Sequence, residues 1–252
     1  MSLVISKVFT YDTDAGNYIQ AVEAADGQAL EAATRQAINN FVIGCKQDGI
    51  WSAIKASCIL AGARTLSGAL VPLAGTAPTN FNFVSGDYNR KTGLKGDGST
   101  KYINTSYSVL SSQTSNHHAA TFLGTGGSNT WFGVESSLGP GTYVSLAATG
   151  LFSFSASVLR ASSASTIGFV GIARGSSSSA ITRIEGSSQT ASSTATTPTL
   201  NRNYLVFAAQ LSSPTSYSNA RLAFYSIGES LDLALLDARV TDLINAFGAA
   251  IP

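Results

Sequence analysis

Residues equipped for chemistry are few in this chain and widely spaced. His117 and His118 are its two histidines. Neighbouring positions on a strand face opposite ways, so the pair is not expected to share a metal ion. Cys45 and Cys58 complete no Cys/His zinc spacing with them. Both are expected as isolated buried thiols, and no metal or cofactor is expected. Hydrolysis of a glycan on a β-sandwich needs two carboxylates about 5 to 10 Å apart across the scissile bond. The glutamates are Glu23, Glu31, Glu135, Glu185 and Glu229, and none shares a strand face with a second carboxylate. Asp87, Asp97, Glu135 and Glu185 are scattered acids of the β-rich part, expected in turns or in water. A serine nucleophile would have to recruit one of the histidines, and no G-x-S-x-G elbow is present. Gly124, Gly126 and Gly127 imitate a phosphate-cradling loop, but the aromatic run Trp131 to Val134 stands where a helix should follow, so they read as turn glycines.

Two groupings suit recognition better than catalysis. Arg90, Lys91, Lys95 and Lys101 form the densest basic cluster, with Tyr88 and Tyr102 interleaved as on a base-stacking surface. Asp87 and Asp97 dilute its field, and a solvated strand-turn-strand unit is the expected reading. Sugar sites stack a pyranose on an exposed aromatic ring and hold its hydroxyls with amides and carboxylates. Trp131 and Tyr143 are the candidate carbohydrate-binding residues on that ground, with core packing as the competing role for each. No catalytic residue is assigned, and the chain is not expected to be an enzyme.

The elements that must position these residues change character along the chain. From Gln28 to Gln47 apolar residues recur at helical spacing (Leu30, Ala33, Ala37, Phe41, Cys45), with Asp26 as the expected N-cap. Asp48-Gly49 breaks the pattern, and Ile50, Trp51, Ile54, Cys58 and Ala61 are read as a second, shorter helix ending near Gly62. Val4 to Tyr18 is either a short strand or an extended arm. After Gly75, short apolar or aromatic runs alternate with Gly, Asn, Ser and Asp, which points to many strands in an antiparallel sandwich. The tract Ser187 to Thr197 is an exposed loop or a hydroxyl-covered strand edge. Ser230 is read as the cap of a last helix over 230–247 whose apolar positions form one wide stripe. The organisation expected is a helical assembly region at 1–74 and a β-sandwich with its closing helix at 75–252.

Composition narrows the function classes. At 252 residues the chain can bury a full core without staples. Charged residues are 12%, about half of what soluble domains carry, so hydroxyls and amides must build the surface. A net charge of +1 provides no field for nucleic acid or an anionic membrane. No stretch approaches the roughly 20 apolar residues of a membrane span. A mean hydropathy of +0.17 with so few charges points to apolar surface covered by other subunits.

Three runs carry a family resemblance. FVIGCKQDGIWSAIKASCILAGARTLSGALVPL (Phe41 to Leu73), TNFNFVSGDYNRKTGLKGDGSTKYINT (Thr79 to Thr105) and FYSIGESLDLALLDARVTDLINAF (Phe224 to Phe247) are similar to a module of tailed-bacteriophage and prophage virion proteins. The resemblance implies a concanavalin A-like lectin/glucanase jelly roll in a tail fibre or other appendage. It also implies assembly in the host cytoplasm, a place in the virion, contacts with other virion proteins and with host-surface glycan, and a homo-oligomer with a trimer as first choice. A glycan hydrolase on a glucanase-like sandwich and a purely structural capsid or baseplate decoration protein are the alternatives. The Ser/Gly-rich middle of the chain lies outside the resemblance, and no catalytic residue transfers from it.

Overall fold

The computed structural model describes residues 11–108, 114–134, 144–153, 158–195, 201–210 and 212–252. Helix α1 (Thr13–Asp26) begins where the Asp12 carboxylate accepts the Asp14 N–H at 3.0 Å, and it ends at Gly27 in the left-handed conformation. Within the described part of 4–18 the chain is thus helical rather than a strand or an arm. Asp26 is the last residue of α1, not the cap of the next helix. Its carboxylate accepts from the Arg64 N–H at 2.7 Å and from the Thr65 N–H and hydroxyl at 2.8 and 2.7 Å. Helix α2 (Ala32–Gln47) starts after Glu31 and stops at Asp48-Gly49, as its spacing predicts.

The span read as a second helix is a 3-10 turn at Trp51–Ala53 followed by strand β1 (Ile54–Ile59). A strand covered on both faces is a continuous apolar run, and apolar spacing alone does not separate it from a buried helix. Next come helix α3 (Leu66–Ala69), β2 (Pro72–Ala74), β3 (Thr79–Phe81), β4 (Tyr88–Asn89), β5 (Gly93–Lys95) and β6 (Tyr102–Ser108). After them run β7 (His117–Thr125), β8 (Thr130–Val134), β9 (Val144–Ala147), β10 (Gly150–Ser153) and β11 (Gly168–Arg174). Strands β12 (Ser179–Ile184) and β13 (Ser187–Ser192) form a hairpin, so the Ser/Thr tract is a hydroxyl-covered edge over 187–192. The chain closes with β14 (Asn203–Val206), β15 (Ala209–Gln210), β16 (Pro214–Thr215), β17 (Arg221–Gly228) and helix α4 (Leu233–Ala250). Asp232, not Ser230, caps α4, accepting the Ala234 and Leu235 N–H groups.

The fold is mainly β, with two sheets and four α-helices among the described residues. The first sheet has nine strands in the order β13-β12-β11-β7-β17-β1-β2, with β5 on β17 and β4 on β5. The second has eight, in the order β10-β9-β8-β14-β6-β3, with β15 beside β8 and β16 on β15. Among the described strand pairs, only β15 on β8 runs parallel. The central strands of the first sheet are covered on both faces. Leu123, Val170, Ile172 and Tyr225 point from it into a core shared with Ile103, Trp131, Phe132 and Val206 of the second sheet. Ala120, Phe169, Ala173 and Phe224 point the other way, into a second core with Val22, Phe41 and Val240 of α1, α2 and α4. The helices therefore close the back of the first sheet.

Candidate functional site

The expected chemistry disperses on folding. His117 and His118 are fully buried on opposite faces of β7, as adjacent strand residues must be. His117 meets the Ser153 hydroxyl through Nε2 at 2.8 Å, between the sheets. His118 contacts the Glu229 carbonyl through Nδ1 at 2.6 Å and the Ser226 hydroxyl through Nε2 at 2.7 Å, on the helix side. Across the ladder from His117, Arg174 is also fully buried, and its guanidinium donates to the Ser153 and Ser193 carbonyls at 2.9 and 2.8 Å. That guanidinium went unnoticed in the sequence, because an arginine at a strand end reads as exposed. Cys45 and Cys58 are free and buried, and burial pushes both thiols up to about 12, so neither is a ready nucleophile near neutral pH.

Burial pushes the His118 imidazole down to about 4, with only the Glu229 carbonyl opposing it. The unfolded chain, with an ordinary histidine near 6.5, then binds the proton first. Stability is therefore complete above about pH 6.5 and falls as the pH drops toward 4, by roughly 3 kcal/mol in all. Glu31 titrates mostly below this window. The Arg90 guanidinium beside it, at 2.8 and 3.1 Å, holds its carboxyl at about 2, so its contribution is complete above the ordinary carboxylate value and is lost as the pH falls from there toward 2. Urea unfolding at pH 7 and pH 4.5 is expected to show the loss, and His118→Gln to flatten it. Equal stability at the two pH values contradicts the assignment.

The acids and bases of the β-rich part are engaged in structure. Asp87 accepts from Lys101 at 2.6 Å. Although burial pushes the Asp97 carboxyl up, bonds from Thr100, Ser99 and Lys101 hold it well below the usual carboxylate range. Glu185 is exposed in the β12–β13 turn, and Glu135 lies outside the described residues. Arg90 is committed to Glu31 and the Ala63 carbonyl, and the Tyr88 hydroxyl donates to that same carbonyl. With Lys101 paired as well, the basic cluster presents no continuous field. A Cβ on Gly126 would stand 2.1 Å from the Ala164 carbonyl oxygen, and one on Gly127 2.4 Å from the Ala220 nitrogen, so backbone contact demands these glycines. Trp131 is fully buried in the inter-sheet core, its indole N–H donating to the Gly127 carbonyl at 3.0 Å. No face of that ring is open to a sugar, which corrects its reading as a binding residue. Tyr143 lies outside the described residues.

What the fold does assemble is on the outer face of the second sheet. Along β6, Ile103 and Thr105 point inward and are buried, so Tyr102 and Asn104 point outward and are half-exposed. Phe81 of β3 pairs with Tyr102 in register and stacks on it, with centroids 4.3 Å apart and planes at 7°. Tyr217 closes the strip at 6.2 Å from Tyr102. Burial, with Tyr217 adding to it, pushes the Tyr102 phenol up, so it remains a neutral hydrogen-bonding group.

Asn104 continues the same face into a concavity of about 520 Å³, lined by Asn104, Asn201, Arg202, Asn203, Gln210 and Ser212. The Asn203 side-chain amide donates to the Asn104 Oδ1 at 3.1 Å, and Ser108 bonds Asn201, so the rim is held in place. Every lining residue is polar and none is a carboxylate. Such a surface stacks an apolar ring face and binds hydroxyls, whereas two-carboxylate hydrolysis has no groups to run on there. The sequence signal for it was the run Asn201 to Asn203, which reads by itself as a turn.

No family model matches the chain, and no curated protein matches it. Among solved structures it is similar to the NanB sialidase from Streptococcus pneumoniae in complex with 2-[(3-chlorobenzyl)ammonio]ethanesulfonate. The two share 11% identity with a TM-score of 0.42, over 58% of this chain and 27% of that one. It is also similar to a mutant Trypanosoma rangeli sialidase displaying trans-sialidase activity, at 11% identity and a TM-score of 0.42, over 83% of this chain and 39% of that one. The chain thus spans about a third of the length of these solved structures. Likeness at this TM-score carries no argument about activity.

Proposed function

We propose that this chain is a glycan-binding module of a bacteriophage appendage, a jelly-roll head that presents its outer sheet to the host surface. The observation that carries the binding reading is the stacked Phe81–Tyr102 pair running into an amide-lined concavity on one exposed face. Half-exposed stacked aromatics gain apolar burial when a ligand covers them, and amides offer donor and acceptor together, which matches a sugar's hydroxyls. The virion setting, with assembly in the host cytoplasm and other virion proteins as neighbours, rests on the three runs similar to tailed-phage proteins.

Glycan-array screening of the purified protein is expected to detect a defined set of oligosaccharides. Tyr102→Ala and Asn104→Ala are each expected to weaken the strongest of these about tenfold, near 1.4 kcal/mol, with the thermal midpoint little changed. An array without binding, or binding that both variants retain in full, removes the reading.

A further inference from the structure

Among the described residues, the six-residue strand β13, Ser187–Ser192, is an unpaired edge of the first sheet. Other sheet ends are blunted. Strand β2 has three residues and begins with Pro72, β3 has three, and four-residue β10 is bridged by Arg160. Natural sheets protect long edges with charge, proline or a bulge. Strand β13 has no charged residue and no proline, its register on β12 is uninterrupted, and it is exposed at Ser187–Thr190 and Ser192.

The direction of its backbone groups follows from the hairpin. The turn passes through Glu185 (φ 49°) and Gly186 (φ 75°), with Ile184 opposite Ser187. A two-residue turn of this hand closes on a hydrogen-bonded pair, so Ser187, Gln189 and Ala191 aim their N–H and C=O groups at β12. Two contacts agree with that phase: the Gln189 carbonyl accepts from the Thr182 hydroxyl at 3.3 Å, and the Ser193 N–H donates to the Ser178 carbonyl at 2.8 Å. The backbone groups of Ser188, Thr190 and Ser192 therefore point off the sheet.

We infer that β13 pairs with β13 of a second copy of this chain, antiparallel and centred on Thr190, to make one continuous sheet across a two-fold axis. The outward row is symmetric about Thr190. Thr190 faces its own copy, Ser188 of one chain faces Ser192 of the other, and every opposed pair exchanges two N–H···O bonds. A one-residue slip would set outward groups against inward ones, and a two-residue slip would carry one outward residue past the end of the partner strand, so the register centred on Thr190 is the one that pairs all three. Ile181, an apolar side chain left 46% exposed, lies directly across from Thr190. In the pair, the Ile181–Thr190 row of one copy runs on into that of the other. The net charge of +1 sets no long-range repulsion between copies.

Sedimentation of the full chain is expected to give a dimer. Thr190→Pro removes only outward N–H groups, leaves the β12–β13 ladder its bonds, and is expected to weaken the dimer about 100-fold. Should that variant fail to fold, Thr190→Cys decides instead. Opposed residues of a hydrogen-bonded pair sit about 5.5 Å apart at Cα, within disulfide range, so mild oxidation is expected to link two folded chains through this one site. Any of three results overturns the inference: a wild type that stays monomeric at about 1 mM, an oligomer whose mass Thr190→Pro leaves unchanged, or a Thr190→Cys protein that stays unlinked. None of these readouts involves glycan, so failure here and failure of the binding face are distinguishable.

Discussion

Phe224→Ala is expected to lower the free energy of unfolding by about 3–5 kcal/mol. Phe224 is fully buried on the helix side of β17 and meets the Phe41 ring of α2 edge-on at 5.9 Å. Its removal leaves a cavity that two rigid layers, helix and sheet, cannot close. Because that core joins α1, α2 and α4 to the first sheet, the loss should appear in the whole transition and not in a detached helical unit. The two tryptophans report on the two sides. Trp51 packs against the helix-side core, and Trp131 is buried between the sheets. In each of the Trp131→Phe and Trp51→Phe variants, urea unfolding followed at the remaining tryptophan and by far-UV circular dichroism of that same variant is expected to give coincident midpoints. Separated midpoints, or a loss under about 1 kcal/mol, contradict a shared helix-sheet core.

Gly93→Ala is expected to cost about 2–6 kcal/mol. Gly93 adopts φ 97°, which a residue with a Cβ holds only at a cost of about 1–3 kcal/mol. A Cβ there would also stand 2.1 Å from the Leu222 carbonyl oxygen and 2.8 Å from Cα of Ala223. Both atoms belong to the backbone of β17, which is pinned by β7, β1 and β5, so no rotamer change relieves the clash, and overpacking adds about 1–3 kcal/mol. Gly86, with no atom within 4 Å of its added Cβ, is the comparison site, where alanine should change stability by less than about 0.5 kcal/mol. Thermal or urea unfolding of the two variants side by side checks the difference, and equal stability contradicts the close approach of β5 to β17.

The legible parts of the fold were those whose apolar spacing matched a single exposed-to-buried face. Helices α2 and α4 show one stripe each, and most strand centres, Gly93–Lys95 and Trp131 to Val134 among them, stood out between turn residues. Strand β1 was misread because IKASCI is covered by a core on either side and keeps no alternation. Strand β13 was legible only as one of two alternatives, a hydroxyl-covered edge or an exposed loop, because nearly all of it is exposed and no alternation marks it. Helix α1 did carry a signal, with Ala15, Tyr18, Ile19 and Val22 at helical spacing behind the Asp12 cap.

The site was less legible than the fold. Aromatic type does not report burial, so Trp131, lost in the core, looked as available as Tyr102, which the pleat of β6 turns outward. The concavity joins Asn104 to Asn203 through the pairing of β6 with β14, a contact between residues 99 positions apart that no local pattern encodes. Turn residues near position 200 gained a role only when that pairing set them beside the β6 face.

The most direct measurement is residue-resolved chemical-shift mapping of the protein titrated with its strongest array glycan. The expected result is a contiguous set of shifts at Phe81, Tyr102, Asn104, Asn203 and Gln210, with the helices silent. Shifts that leave this face untouched and gather elsewhere would contradict the account.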